Sequence, residues 1–176
     1  MAQMNTGSSQ QKQAKGRESK FLTFELAGEE YGLEVLRVRE IIGLIPVTRV
    51  PRTPDFIKGV INLRGKVVPV IDLRLRFSLP AEDYTDRTCI IVVDVEGSSG
   101  SILMGIVVDA VSEVLSIAEE EIEPTPSFGV KLDTDFILGM AKVKGQVKSL
   151  LDINKVLSTE QRQILGEIQV GPQADA

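Results

Sequence analysis

A seventeen-residue block that this chain contains twice limits its fold more than any other feature. Phe56-Ile-Lys-Gly-Val-Ile-Asn-Leu-Arg-Gly-Lys-Val-Val-Pro-Val-Ile-Asp72 returns eighty positions later as Phe136-Ile-Leu-Gly-Met-Ala-Lys-Val-Lys-Gly-Gln-Val-Lys-Ser-Leu-Leu-Asp152. Six positions are identical, where unrelated windows share roughly one. Upstream, Gly32, Val35, Val38 and Glu40 recur as Gly105, Val108, Val111 and Glu113 with the same internal spacings, but at an offset of seventy-three. The second copy therefore carries seven extra residues between its blocks, within the Glu-, Pro-, Ser- and Gly-rich stretch Glu119 to Asp133. Such a composition suits a surface loop. Two diverged copies of one unit predict two similar lobes packed together. A unit of roughly 70 residues is marginal alone, so the lobes are expected to bury surface against each other.

The local pattern is that of short strands. Leu22, Phe24 and Leu26 alternate with Thr23 and Glu25, the period of a half-buried strand, and Ala27-Gly-Glu-Glu30 turns the chain into a return strand from Tyr31. Pro46, Pro51 and Pro54 keep helix out of the next connection. Leu63-Arg64-Gly65-Lys66 reads as a tight hairpin turn in which Gly65 can take a positive φ, and Lys144-Gly145-Gln146 repeats it. Lys148 and Ser149 replace Val68 and Pro69 of the first copy, so that strand is expected to be half exposed. Turns every 8 to 12 residues predict small antiparallel barrels. Ser158-Thr-Glu-Gln161 fits a capping box opening a C-terminal helix. Residues 1–20 and 166–176 read as disordered tails. Between them, 21–165 is expected to form one domain of two intertwined lobes, roughly 21–85 with the C-terminal segment and 86–155.

The chemistry is restricted by what is missing. There is no histidine, which removes Ser-His-Asp and Cys-His nucleophilic sites and histidine metal ligands. No glycine pattern fits a nucleotide, and Asp133-Thr-Asp135 lacks the later ligands of a calcium loop, so no cofactor or metal is expected. The single Cys89 excludes an internal disulfide and reads as a small buried hydrophobe. No apolar run approaches a membrane span and no signal peptide is apparent, pointing to a soluble, cytoplasmic protein. Residues 37 to 76 hold nine basic and three acidic side chains, a local charge of +6 in a chain of net charge −5. Opposite faces of this kind orient protein partners. An RNA-binding double barrel is the alternative from another class, but the chain has no Trp and eight aromatics in all, few for base stacking.

Pro54-Asp-Phe-Ile-Lys-Gly-Val-Ile-Asn-Leu-Arg-Gly-Lys-Val-Val-Pro-Val-Ile-Asp72-Leu-Arg74 and Gly105-Ile-Val-Val-Asp-Ala-Val-Ser-Glu-Val114 closely resemble CheW, the coupling-protein family of bacterial chemotaxis. The resemblance runs from about Phe21 to Leu165. It implies a mainly β fold, two SH3-like five-stranded antiparallel barrels with a short C-terminal helix. It also implies a non-enzymatic adaptor that joins the histidine kinase CheA, through its regulatory domain, to the cytoplasmic tips of methyl-accepting chemoreceptors, with other CheW copies as further neighbours in array rings. By position, the resemblance implies receptor contacts at Val38, Glu40, Ile41, Arg64, Val111 and Val114. Phe128, on a proline-bounded loop, is a candidate kinase contact. A regulatory module similar to CheV or to the end of CheA is the related alternative, though it would normally carry a receiver or kinase domain.

Overall fold

The chain builds one succession of strands twice. A hairpin comes first: β1 (Glu18–Leu26) with β2 (Glu29–Glu34), and later β6 (Cys89–Gly97) with β7 (Gly100–Val108). A single strand follows, β3 (Val38–Gly43) or β8 (Ala110–Ala118). A second hairpin ends each copy, β4 (Ile57–Leu63) with β5 (Lys66–Asp72), or β10 (Ile137–Val143) with β11 (Gln146–Leu151). The computed structural model describes residues 17–97, 100–124 and 136–174.

One sheet has the order β3-β6-β7-β5-β4, and the other β8-β1-β2-β11-β10, extended by the two-residue β9 (Ile122–Glu123). Written by repeat, the two orders are the same. Each sheet takes its first hairpin from one copy and everything else from the other, so the copies have exchanged hairpins. Where the foreign hairpin joins, the pairing is parallel, β7 on β5 and β2 on β11. Parallel neighbours need a crossover connection, which the exchange provides. All other named pairings are antiparallel. The fold is thus mainly β with two small curled sheets, but the sheets are open, with β3 and β4 as edges of one and β8 and β9 of the other.

The exchange explains why particular residues repeat. At the parallel joints Gly32 faces Leu150 and Gly105 faces Val70 in identical register. A Cβ at Gly32 would lie 2.8 Å from Leu150 Cδ2, and one at Gly105 2.8 Å from Ile90 Cγ2, so a side chain at either joint would displace its neighbour. Gly59 (φ 143°) passes beneath Thr48, whose carbonyl oxygen would lie 2.0 Å from an added Cβ, and Gly139 passes beneath Glu123 in the same way. Asp72 and Asp152 accept hydrogen bonds from Leu75 N–H (3.3 Å) and Asn154 N–H (3.0 Å). They cap the short helices α1 (Leu73–Arg76) and α2 (Ile153–Val156) that close the two repeats.

Alternation along the strands feeds three cores. Leu22, Phe24 and Leu26 of β1 meet Ile91, Val93 and Val95 of β6 in a central core between the sheets. The opposite faces fill the two curls, with Ile61, Val68, Ile90 and Val92 in one and Phe21, Ile117, Ala141 and Leu150 in the other. β1 is therefore buried on both faces. Thr23, fully buried, satisfies its hydroxyl by donating to the Glu113 carbonyl (2.9 Å) and accepting from the Glu113 N–H (3.1 Å). A clasp joins the sheets at the β7–β8 corner. Asp109 accepts from Arg74 Nε (2.8 Å) and Nη2 (2.6 Å) and from the Ala27 N–H (2.9 Å). Burial alone would push the Asp109 carboxyl up, but the Arg74 guanidinium and the Ala27 N–H hold it below the usual aspartate range. In the second copy Asn154 Oδ1 accepts directly from the Glu96 N–H (2.9 Å).

Three expectations are corrected. The first strand begins at Glu18 rather than Phe21, because Glu18 to Lys20 pair with Ser116 to Ala118 of β8. The helix α3 (Thr159–Ala174) continues past residue 166. Its capping box is formed, with Ser158 N–H on Gln161 Oε1 and Gln161 N–H on Ser158 Oγ. Leu165 anchors it in the core, and propagation then adds one backbone bond per residue. Lys148 is buried, with its Nζ 3.7 Å from Glu30 Oε1. The long aliphatic stem occupies the place of Val68 while the amine reaches a carboxylate.

Candidate functional site

Arg64 is the first central residue of the turn between β4 and β5. Its φ of 53° and that of 87° at Gly65 put both central residues in the left-handed region, the geometry of a two-residue type I′ hairpin turn. Asn62 Oδ1 braces the turn by accepting from the Gly65 N–H (2.8 Å). The Asn-Leu-Arg-Gly block is therefore a turn-building unit that holds a guanidinium at a hairpin tip. That guanidinium donates through Nη1 (3.2 Å) and Nη2 to the two carboxylate oxygens of Glu40 on β3. β3 and β4 are opposite edges of their sheet. The fork thus spans the curl and draws its edges together. The hydrogen bond from Arg64 holds the Glu40 carboxyl below the usual glutamate range and raises the guanidinium in return. Both side chains lie at the surface, where such a pair adds little to stability.

A groove of about 840 Å³ opens beside this pair. Leu63, Val67, Val92 and Leu103 give it an apolar surface, while Arg39, Glu40, Arg64, Lys66 and Asp94 make its polar wall. Arg39 pairs with Asp94 across the β3–β6 joint. An apolar floor between charged side chains suits the apolar stripe of a helix with polar flanks.

Glu40 and Arg64 are thus brought together in one groove. Val38 lies on the same strand, half-buried with its side chain against the central core. Ile41 is 45% exposed and does not line the groove. Val111 and Val114 belong to β8 in the other sheet, opposite Phe24 and Leu22. Val111 packs half-buried against the central core, whereas Val114 is 53% exposed. Phe128 lies outside the described residues.

Two features escaped the sequence reading. Asp94 stands alone as an acid in the apolar run Cys89 to Val95, a signal that a partner was needed, but nothing in the chain order links it to Arg39. The second is a copy of the ion pair itself: Lys144 Nζ lies 3.9 Å from Glu113 Oε1, and these residues align with Arg64 and Glu40. Lys144 (φ 53°) and Gly145 (φ 79°) repeat the turn geometry as well. Among the described residues no three metal-ligating side chains converge, and no helix is long and apolar enough to cross a membrane.

The CheW-like domain model matches residues 20–161. The chemotaxis protein CheW of Klebsiella aerogenes is 45% identical over 148 residues, covering 84% of this chain and 87% of that protein. CheW of Bacillus subtilis is 40% identical over 145 residues, covering 82% and 90%. The crystal structure of the scaffolding protein TtCheW from Thermoanaerobacter tengcongensis superposes with a TM-score of 0.74 at 36% identity, covering 85% of this chain and 99% of that one.

Proposed function

This chain belongs to the CheW-like family of chemotaxis scaffold proteins, and on that premise we propose that it is a non-enzymatic adaptor coupling the kinase CheA to chemoreceptors. The observation that carries this reading is the groove beside Glu40 and Arg64, with its apolar floor and its paired charges. A receptor tip is a helical hairpin, and a helix laid along Leu63, Val67 and Leu103 would desolvate that floor. Glu40 and Arg64 would then exchange part of their mutual pairing for charges on the helix. An exposed pair of this kind sets register and encounter rate more than raw affinity.

Val38 supports the strand from beneath, and Ile41 extends the apolar contact along β3. Val114, exposed on the β8 strand that repeats β3, would offer a second apolar contact, with Val111 supporting that strand from the core side. The kinase's regulatory domain would meet the barrel ends, with Phe128 as one contact. Activity of this kind resides in affinity and geometry, and recruitment places the protein at membrane-associated receptor arrays.

The test is capture of the full chain by immobilised CheA and by a receptor cytoplasmic fragment at micromolar concentration. Binding to both, with a ternary complex, is the expected result. Binding to neither, with salt-sensitive RNA binding instead, overturns the reading.

A further inference from the structure

A second charged cavity lies where α1, α2 and the start of α3 meet, lined by Arg76, Asn154, Lys155, Leu157, Ser158, Thr159 and Arg162, with a volume of about 360 Å³. Three of its lining residues are cations and none is acidic, in a chain of net charge −5. The arginines that line two other charged cavities are matched: Arg64 by Glu40, Arg39 by Asp94, Arg74 by Asp109. Here they are not. Among the described residues, the buried side-chain polar atoms without a hydrogen-bond partner are Arg76 Nε and Arg162 Nε, and both arginines line this cavity. A buried donor left unpaired bears its desolvation in full.

The two guanidinium groups are nonetheless held in place. Arg162 is anchored through Nη1 to the Glu96 carbonyl (2.9 Å), while its Nε is buried without an acceptor. Arg76 lies with its Cζ 5.7 Å from the centre of the Phe56 ring, a cation–π contact. Lys155, exposed, adds a third charge, and exposed Ser158 and Thr159 complete the lining. The amino end of α3 contributes potential of the same sign.

We propose that this cavity is a binding site for a phosphate-type oxyanion. Arginine forks match tetrahedral oxyanions through paired N–H donors, and a lining charge of three positive groups matches a dianion better than a single carboxylate. The site is separate from the Glu40–Arg64 groove and shares no lining residue with it, so it stands or falls independently of receptor coupling.

The test is thermal melting of the full chain at constant ionic strength, with inorganic phosphate titrated against acetate. A ligand of the native state raises Tm with concentration, by about 5 °C at one hundred times its dissociation constant. Phosphate is expected to do so and acetate is not. The double variant R76Q/K155Q is expected to lose the shift while melting in phosphate-free buffer within a few degrees of wild type. Should that variant fail to fold, amide and arginine Nε NMR signals of the wild-type chain decide: phosphate-induced shifts confined to Arg76, Lys155, Ser158, Thr159 and Arg162 support the site. Glycerol 3-phosphate in a parallel arm separates the sources, since tighter binding than phosphate assigns the site to an esterified phosphoryl group and equal binding to the free anion. An equal Tm rise with acetate, an undiminished rise in the folded variant, or shifts scattered over the surface would overturn the proposal.

Discussion

The two hairpin ends, β4–β5 and β10–β11, share a backbone and differ in what they do with charge. Both make the same left-handed turn, both bulge at the same glycine, and both bring a cation to an acid on the third strand of their repeat. At the first end the core beneath is wholly aliphatic, with Val68 fully buried, and the cation is a two-pronged arginine. At the second end a lysine occupies the core position, and the surface cation is another lysine whose contact with Glu113 is long at 3.9 Å. Both ends keep what the fold requires, and the first end adds a shaped apolar groove.

The strongest way to break this comparison is to transplant the core charge. Val68→Lys should cost about 3–5 kcal/mol, because the first curl offers no carboxylate where Glu30 serves the second. The reverse change, Lys148→Val, should alter stability by less than about 1.5 kcal/mol. Urea unfolding of both variants checks this, and equal losses would remove the distinction between the two cores. Next in size is Gly59→Ala, expected to cost about 3 kcal/mol because a Cβ would meet backbone at a φ few residues tolerate. Gly139→Ala should cost about 2 kcal/mol, since part of its obstruction is the movable Ile122 side chain.

The surface cations sharpen the comparison on function. Arg64→Asp should weaken receptor-fragment binding roughly tenfold or more, while Lys144→Asp changes it less than about twofold. Both variants should melt within a few degrees of the native chain; an equal loss of binding and folding in Arg64→Asp would remove its interface role. The smallest effect is expected at the Asp109 clasp, which has no symmetric counterpart because Leu36 of the first copy stands where the second has Asp109. The folded Asp109 carboxyl lies below its unfolded value, so its contribution is complete above about pH 4. That contribution drains away as pH falls through the depressed folded value. Melting curves of wild type and Asp109→Asn should therefore differ most near neutrality and converge in acid. The carboxylate is 31% exposed, and solvent screening keeps the difference modest.

Much of this frame was legible in the sequence because repeats carry local rules. Gly65 and Gly145 announce a turn, and Ser158 with Gln161 a helix cap; the alternation of Leu22, Phe24 and Leu26 gives a strand. The pairing of Glu40 with Arg64 was open to inference from their joint recurrence as Glu113 and Lys144. The hairpin exchange was not legible, because the contact of Gly32 with Leu150 is made across the whole chain and both residues look ordinary in their own neighbourhoods. Lys148 misled for the same reason. Residue type suggests solvent, and only the three-dimensional neighbour Glu30 makes burial tolerable. Of the groove, the charged wall was visible as a run of arginines, whereas the floor drew Val92 and Leu103 from the other copy.

Because each sheet borrows a hairpin from the opposite repeat, neither repeat owns a finished product. A chain severed between Phe77 and Arg87 would yield two pieces that complete each other and nothing else, in the manner of a lock cut through its bolt. With both repeats on one chain the exchange closes within a single molecule, so no second chain has to be met, and one hairpin tip carries the groove while its twin keeps the frame in place.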